Sequence, residues 1–111
     1  NAAKRAKQCF QSSQEALQND ELDTAAKELY EAVAGYITDK TGLPASGTDI
    51  QDIIEQVEKK HTIDQDKIEE LERFLQNLEL KKYAPEAISK DELEQLFNQG
   101  RNLQKTLKRH L

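Results

Sequence analysis

The chain has 111 residues, 33% of them charged and 36% hydrophobic, with a formal net charge of −5 at pH 7. This length supports one domain with a modest core, and we predict a single helical domain over residues 1–111. A single cysteine excludes an intrachain disulfide, no apolar run approaches the ~20 residues that span a bilayer, and no signal-peptide pattern opens the chain.

The first two predicted helices are separated by Asn19 and Asp20. The spacing predicts helix 1 over Ala2–Gln18, with a thin apolar stripe made of Ala3, Ala6, Phe10, Ser13 and Leu17. Helix 2 is predicted over Glu21–Thr41 and is apolar on most of its sides, which is typical of a helix buried on most sides. We therefore expect helix 2 to be the central helix. Gly42 and Pro44 end it.

Three further helices follow. Helix 3 is predicted over Asp49–Lys60, with a capping box formed by Thr48 and Gln51. Helix 4 begins after an N-cap at Asp64 and ends at the stop Tyr83-Ala84-Pro85. Helix 5 begins at the capping box Ser89-Lys90-Asp91-Glu92. The predicted fold is all-α: a compact bundle of about five helices, with a tetratricopeptide-like hairpin formed by the first two.

The charge is unevenly distributed along the chain. Residues 15–94 hold all 21 acidic residues and only nine basic ones. The two ends hold the other basic residues: Lys4, Arg5, Lys7, Arg101, Lys105, Lys108 and Arg109. An acidic body argues against binding to nucleic acid. The basic N-terminal segment is typical of a sequence next to a membrane span or, equally, of an ordinary solvated helix end.

Residues that carry chemistry are few. His61, His110 and Cys9 are the only histidines and thiol, and no pair of them has the spacing of a structural zinc site. We predict no cofactor and no enzymatic activity. A small helical enzyme or nuclease stays as an alternative, although Arg101 and His110 lie too far apart for the Arg-then-His pattern of small helical nucleases.

Two tyrosines lie at helix ends beside residues that stop the helix. Tyr36 and Tyr83 are either core residues whose hydroxyls bond to a loop or parts of an aromatic patch for a protein partner. Helix ends and the loops after them are accessible and often carry binding residues. The candidate partner surface consists of Tyr36, Asp39, Lys40, Lys81, Lys82 and Tyr83.

The same two helix ends carry a family resemblance. The segments 29–33 and 35–44, the start of helix 3 at 48–50 and the stop at 80–85 resemble the C-terminal domain of the BatD family of the bacterial aerotolerance operon. The basic opening at 3–7 is similar to the segment that follows that family's membrane span. Since Asn1 is not an initiator methionine, we expect the chain to be a fragment of a larger protein or a processed product.

The resemblance implies a non-catalytic interaction domain of a membrane protein, located at the cytoplasmic face of the bacterial inner membrane. It implies a membrane span before this chain and a role in scaffolding a stress-related membrane complex. The implied partners are von Willebrand A-domain proteins and a tetratricopeptide protein of the same operon, and a MoxR-type ATPase. The alternative within the binding class is a free-standing helical adaptor that binds peptides.

Overall fold

A computed structural model describes residues 1–44, 47–84, 86 and 88–111. Within these residues the chain is all-helical, which confirms the predicted fold class. The helices are α1 (Ala2–Gln18), α2 (Leu22–Thr41), α3 (Ile50–Glu58), α4 (Gln65–Tyr83) and α5 (Lys90–His110). None of these helices combines the length and the apolar character that a membrane crossing requires.

The first two helices form a packed antiparallel hairpin, as predicted. The turn is closed by backbone hydrogen bonds from Asp20 N to Leu17 O and from Glu21 N to Ala16 O, at 3.2 and 2.8 Å. Asp20 adopts the left-handed conformation (φ 58°) that this helix-ending motif requires. Inside the hairpin, the buried hydroxyl of Ser13 donates to the carbonyl of Ala25 at 2.8 Å, which satisfies the one polar residue in the apolar stripe of α1.

The long helices alternate in direction around the bundle. Lys81 near the end of α4 faces Asp23 near the start of α2, so these two helices are antiparallel. Gln99 of α5 donates to Glu70 of α4, and the rings of Phe10 and Phe97 meet edge to face with centroids 5.9 Å apart. The short α3 packs against α4 and α2 and carries the chain back between them.

The second helix is the centre of the bundle, as the sequence predicts. It contacts each of the other four helices. Its side chains Leu29, Val33 and Ile37 are fully buried, and Tyr36 is only 4% exposed. A helix whose apolar positions surround its circumference gains stability only where neighbours cover every side. Residues 32–38 of α2 are all buried in this way, whereas Asp23, Thr24 and Lys27 in its first half stay exposed.

The packing between helices is tight at Gly100 of α5. A Cβ atom at this position would lie 2.9 Å from Phe74 Cζ and 3.0 Å from Leu29 Cδ1. Real Cβ contacts are longer than this, so any larger residue requires these two side chains to move. Glycine therefore lets α5 pack directly on α2 and α4 at the same point.

The helix ends follow the sequence signals with one correction. Gly42 ends α2 in the left-handed conformation (φ 77°) and donates to Thr38 O at 2.9 Å. The capping box predicted for Thr48 and Gln51 is wrong, because the reciprocal bonds join Asp49 and Asp52. The Thr48 hydroxyl instead donates to Pro44 O. A carboxylate at Asp49 both accepts the helix N–H and suits the helix dipole, so it displaces the threonine by one position.

The other ends agree with the sequence more closely. Ser89 caps α5 by accepting from the backbone N–H of Glu92 at 3.2 Å. Asp64 precedes α4 as predicted, although its side chain accepts no capping hydrogen bond. The stop of α4 falls at Tyr83, and Pro85, which was predicted to enforce it, lies outside the described residues. In α1, Ala3 is exposed, so the buried stripe begins at Ala6.

One buried polar side chain lacks hydrogen-bond partners among the described residues. Gln104 of α5 is 7% exposed, and neither atom of its amide has a hydrogen-bond partner among the described residues. It lies seven residues after Phe97 and therefore on the side of α5 that faces α1. Burying an unsatisfied amide costs about 1–3 kcal/mol of folding stability.

The central position of α2 predicts a large effect of truncating its core residues. Leu29→Ala is expected to lower the free energy of unfolding by about 2–5 kcal/mol, and Val33→Ala is expected to be clearly destabilising as well. Leu80→Ala, at a side chain 49% exposed, serves as the control and is expected to change stability by less than about 0.5 kcal/mol. Urea unfolding followed by circular dichroism measures all three. Similar losses at Leu29 and Leu80 would contradict the central role of α2.

The two glycines inside helices give a matched pair. At Gly35 a Cβ atom would meet nothing closer than Glu31 Oε2 at 3.5 Å, an ordinary contact. We expect Gly35→Ala to stabilise the protein by about 0.5–1 kcal/mol through helix propensity. Gly100→Ala is expected to destabilise it by about 1–3 kcal/mol through overpacking against Phe74 and Leu29. Thermal unfolding of both variants tests the pair, and a stabilising Gly100→Ala would refute the close approach.

Candidate functional site

The structure does not bring the six predicted surface residues together. Lys81 Nζ lies 3.8 Å from Asp23 Oδ1, at the start of α2. Tyr36 lies thirteen residues further along the same helix, which at the helical rise is about 20 Å away. Because α2 and α4 are antiparallel, their C-terminal ends lie at opposite ends of the bundle. The predicted patch is therefore two separate surfaces.

At the end of α2 the tyrosine belongs to the core. Tyr36 is 4% exposed, and burial raises the pKa of its hydroxyl above the usual value. Lys40 Nζ lies 5.9 Å from the centroid of its ring. Asp39 accepts a hydrogen bond from Arg5 Nη1 at 2.8 Å and so ties α2 to the start of α1. Tyr36 is thus a core residue, although its hydroxyl forms no hydrogen bond to a loop among the described residues, and Asp39 has a structural contact of its own.

At the end of α4 the tyrosine is exposed. Tyr83 is 74% exposed and Leu80 is 49% exposed, and they are the two exposed large hydrophobic side chains in the described part of the chain. They are three residues apart and so lie on the same face of α4. Lys82 Nζ lies 5.8 Å from the centroid of the Tyr83 ring. The partner-surface interpretation thus remains for this end alone.

Lys81 is buried, whereas its place in the candidate surface required an exposed side chain. It is 7% exposed because it follows Phe74 and Leu78 by seven and three residues, on the face of α4 that meets α2. Its aliphatic stem packs along this face, and its ammonium group reaches the exposed carboxylate of Asp23. Lys81 therefore forms part of the wall between α2 and α4.

That wall borders a groove of about 720 Å³ between α2 and α4, with Thr48, just before α3, on one side. It lies beside the exposed end of α4, because Lys82 lines the groove and also contacts Tyr83. The side chains along it have mixed charge. The lining residues are Asp23, Ala26, Lys27, Tyr30, Glu31, Thr48, Leu78, Glu79, Lys81 and Lys82.

Tyr30 is the residue of this groove that the sequence analysis did not single out. It is half-buried, and burial, followed by the negative charges of Glu79, Glu31 and Asp49, raises the pKa of its hydroxyl to about 12. The hydroxyl is thus uncharged near neutral pH and can donate or accept a hydrogen bond. A signal was present: Asp23, Lys27 and Tyr30 recur at helical spacing and form a polar stripe on an otherwise apolar helix.

Within the described residues, the reactive side chains of Cys9 and His110 contact different groups. Burial, together with the charges of Glu28 and Glu31, raises the pKa of the Cys9 thiol, and the nearby Arg5 opposes this only in part. A raised pKa keeps the thiol protonated, which is the opposite of what a nucleophile needs. His110 Nδ1 contacts Thr62 Oγ1 at 3.0 Å. Across the described ranges, no group of three or more His, Cys, Asp or Glu side chains is placed to hold a metal ion.

Comparisons with known proteins found no relative: no family model matches the chain, and neither the curated proteins nor the solved structures contain a match.

The raised pKa of Tyr30 predicts a loss of stability at high pH. Below about pH 10 the hydroxyl is protonated in both states, and its contribution is constant. Between about pH 10 and the folded pKa of about 12 the unfolded chain loses the proton first, so folding stability falls as the pH rises. Tyr30→Phe removes this contribution but leaves the lysine titrations in place. Urea unfolding of both proteins at about pH 9 and about pH 11 should show a larger loss for the parent. Equal losses would contradict the environment described for Tyr30.

Proposed function

We propose that this chain is a non-catalytic protein-interaction domain of a BatD-like membrane protein, which helps to scaffold a membrane complex. The observation that carries the proposal is the exposed end of α4, where Leu80 and Tyr83 project beside a groove. Exposed large apolar side chains that cluster at one place are typical of interaction sites.

The chemistry of this end suits a protein partner. Tyr83 offers a large apolar ring with a polar hydroxyl, a combination enriched among residues that dominate binding energy at interfaces. The lysine beside it adds a positive charge over the ring. The groove continues the surface with a neutral Tyr30 hydroxyl and carboxylates at Asp23, Glu31 and Glu79. A partner segment bound here would make apolar contacts with Leu80 and Tyr83 at one end and hydrogen bonds with the polar side chains of the groove along the rest.

The resemblance at the two helix ends supports the choice of partners. In this proposal they are the von Willebrand A-domain and tetratricopeptide proteins of the same operon and a MoxR-type ATPase. The domain then works at the cytoplasmic face of the inner membrane. The free-standing peptide-binding adaptor remains the alternative, since a groove beside an exposed tyrosine also suits a peptide segment.

Capture from native membranes tests the proposal with a matched pair of variants. Lys82→Glu and Lys40→Glu both reverse a lysine in the last turn of a helix, and each lysine lies within 6 Å of a tyrosine ring centroid. We expect both variants to melt alike. Lys82→Glu and Tyr83→Ala should reduce capture of the operon's proteins about tenfold or more, since truncating a dominant contact costs at least about 1–2 kcal/mol of binding. Lys40→Glu should capture like the parent.

Lys81 also belongs to the candidate partner surface, but it is not suitable for charge reversal. A glutamate at this buried position would face Asp23 and destabilise the fold, so a loss of capture would be uninformative. Quantitative mass spectrometry of the captured proteins gives the readout. Undiminished capture by both Lys82→Glu and Tyr83→Ala would refute the assignment to α4, and a loss confined to Lys40→Glu would move the surface to the end of α2.

A further inference from the structure

The two basic ends of the sequence lie together in the folded chain. Residues 1–14 and 95–111 contain no acidic residue, and they belong to the two helices that meet at Phe10 and Phe97. The end of α1 packs against the start of α5, since Gln14, Leu17 and Gln18 line one crevice with Lys90 and Glu94. The helices are therefore antiparallel, and the start of α1 lies beside the second half of α5.

This arrangement gathers six exposed cations at one end of the bundle. None of the six forms a salt bridge with a residue that the structure describes. We call this surface the basic end; it consists of Lys4, Lys7, Arg101, Lys105, Lys108 and Arg109.

The seam between α1 and α5 forms the middle of the basic end. Lys7 lies one turn before Phe10, and Arg101 lies one turn after Phe97, with its guanidinium 6.0 Å from that ring centroid. Lys108 follows Phe97 by eleven residues, three full turns, and so also lies on the side facing α1. Three cations thus line a seam whose floor is apolar.

Acidic groups near this end are either paired or lie on the other flank. Asp39 and Glu31 are both within 4 Å of Arg5, on the α2 side of α1. The acidic start of α4 packs on the opposite flank of α5, where Glu70 accepts from Gln99. The seam side of both helices therefore keeps an uncompensated positive charge.

We infer that the basic end is a docking surface for the anionic headgroups of a phospholipid bilayer. A flat anionic surface attracts clustered lysines and arginines within about a Debye length, near 8 Å at physiological salt. The molecule is 38 Å long, and its acidic residues around the α1–α2 turn and the start of α5 lie at the far end. Those far acidic residues then stay beyond the range at which the surface repels them, while the acidic start of α4 lies on the flank of α5 away from the seam.

A nucleic acid fits this end less well. Single-stranded nucleic acid is held by exposed aromatic side chains that stack on bases, and Tyr83, the exposed tyrosine, lies at the opposite end. Duplex-binding domains are usually basic overall, whereas the sequence pI here is about 5.1.

The inference concerns a different surface from the α2–α4 groove and extends the proposed membrane location. With the basic end on the bilayer, the end of α4 points away from it and is free for a protein partner. Binding to vesicles is measured without any partner, and partner capture is measured in detergent. A failure of one proposal is therefore distinguishable from a failure of the other.

The test uses the 111-residue chain, lipid vesicles and two matched double variants. Arg101→Gln/Lys108→Gln removes two cations from the seam, and Arg73→Gln/Lys90→Gln removes one of each type elsewhere. In co-sedimentation, we expect the parent to bind vesicles containing about one-third phosphatidylglycerol and not pure phosphatidylcholine, with binding that weakens as salt increases. The seam variant should bind about 30-fold more weakly, since each cation near such a surface contributes a factor of about five. The control variant should stay within about threefold of the parent.

Circular dichroism verifies that both variants fold. No binding to the anionic vesicles, equal binding to the neutral ones, or equal losses in the two variants would overturn the inference. Binding to a labelled DNA duplex tests the nucleic-acid alternative, and sedimentation velocity tests self-association. Binding of the duplex in preference to anionic vesicles, or self-association abolished by the seam variant, would assign the basic end to nucleic acid or to a second copy and would also overturn it.

Discussion

The point where Leu29, Phe74 and Gly100 meet fixes how the helices of this bundle pack. Glycine at position 100 removes the side chain that would hold α5 away, so α5 approaches both α2 and α4. Leu29 and Phe74 then become fully buried, and α2 contacts each of the other four helices. Because interiors are packed to the density of organic crystals, this single small residue determines which helix faces can interlock.

Packing around α2 also separates the two surfaces that we assign to function. Alternation of α1, α2, α4 and α5 sends the start of α1 and the end of α5 to one end of the molecule and the end of α4 to the other. Cations collect at the first end, and the exposed Leu80 and Tyr83 lie at the second. The distance between the ends, within a molecule 38 Å long, lets one end contact a bilayer while the other contacts a protein.

Much of the fold could be predicted from the sequence, because periodicity reports which face of a helix is buried and breakers report where it ends. The structure confirms the burial predicted from the wide apolar face of α2, the end of α2 at Gly42 and the start of α5 at Ser89. Periodicity does not report the relative direction of two helices that are not neighbours in sequence, so the sequence alone does not separate Tyr36 from Tyr83. The charge of Lys81 favours an exposed side chain, but its spacing matches the buried face of α4, and it is buried. Gln104 is likewise buried although its polarity favours exposure.

Native-state hydrogen exchange of the backbone amides tests the central claim, that the whole bundle is organised around α2. Amides within residues 29–37 lie where all neighbouring helices converge, so they should exchange only when the entire protein unfolds. Their exchange free energies should equal the global free energy of unfolding measured with urea, and should exceed those of the ends of α3 and α4. Exchange from the middle of α2 through local openings, at free energies well below the global value, would contradict the account.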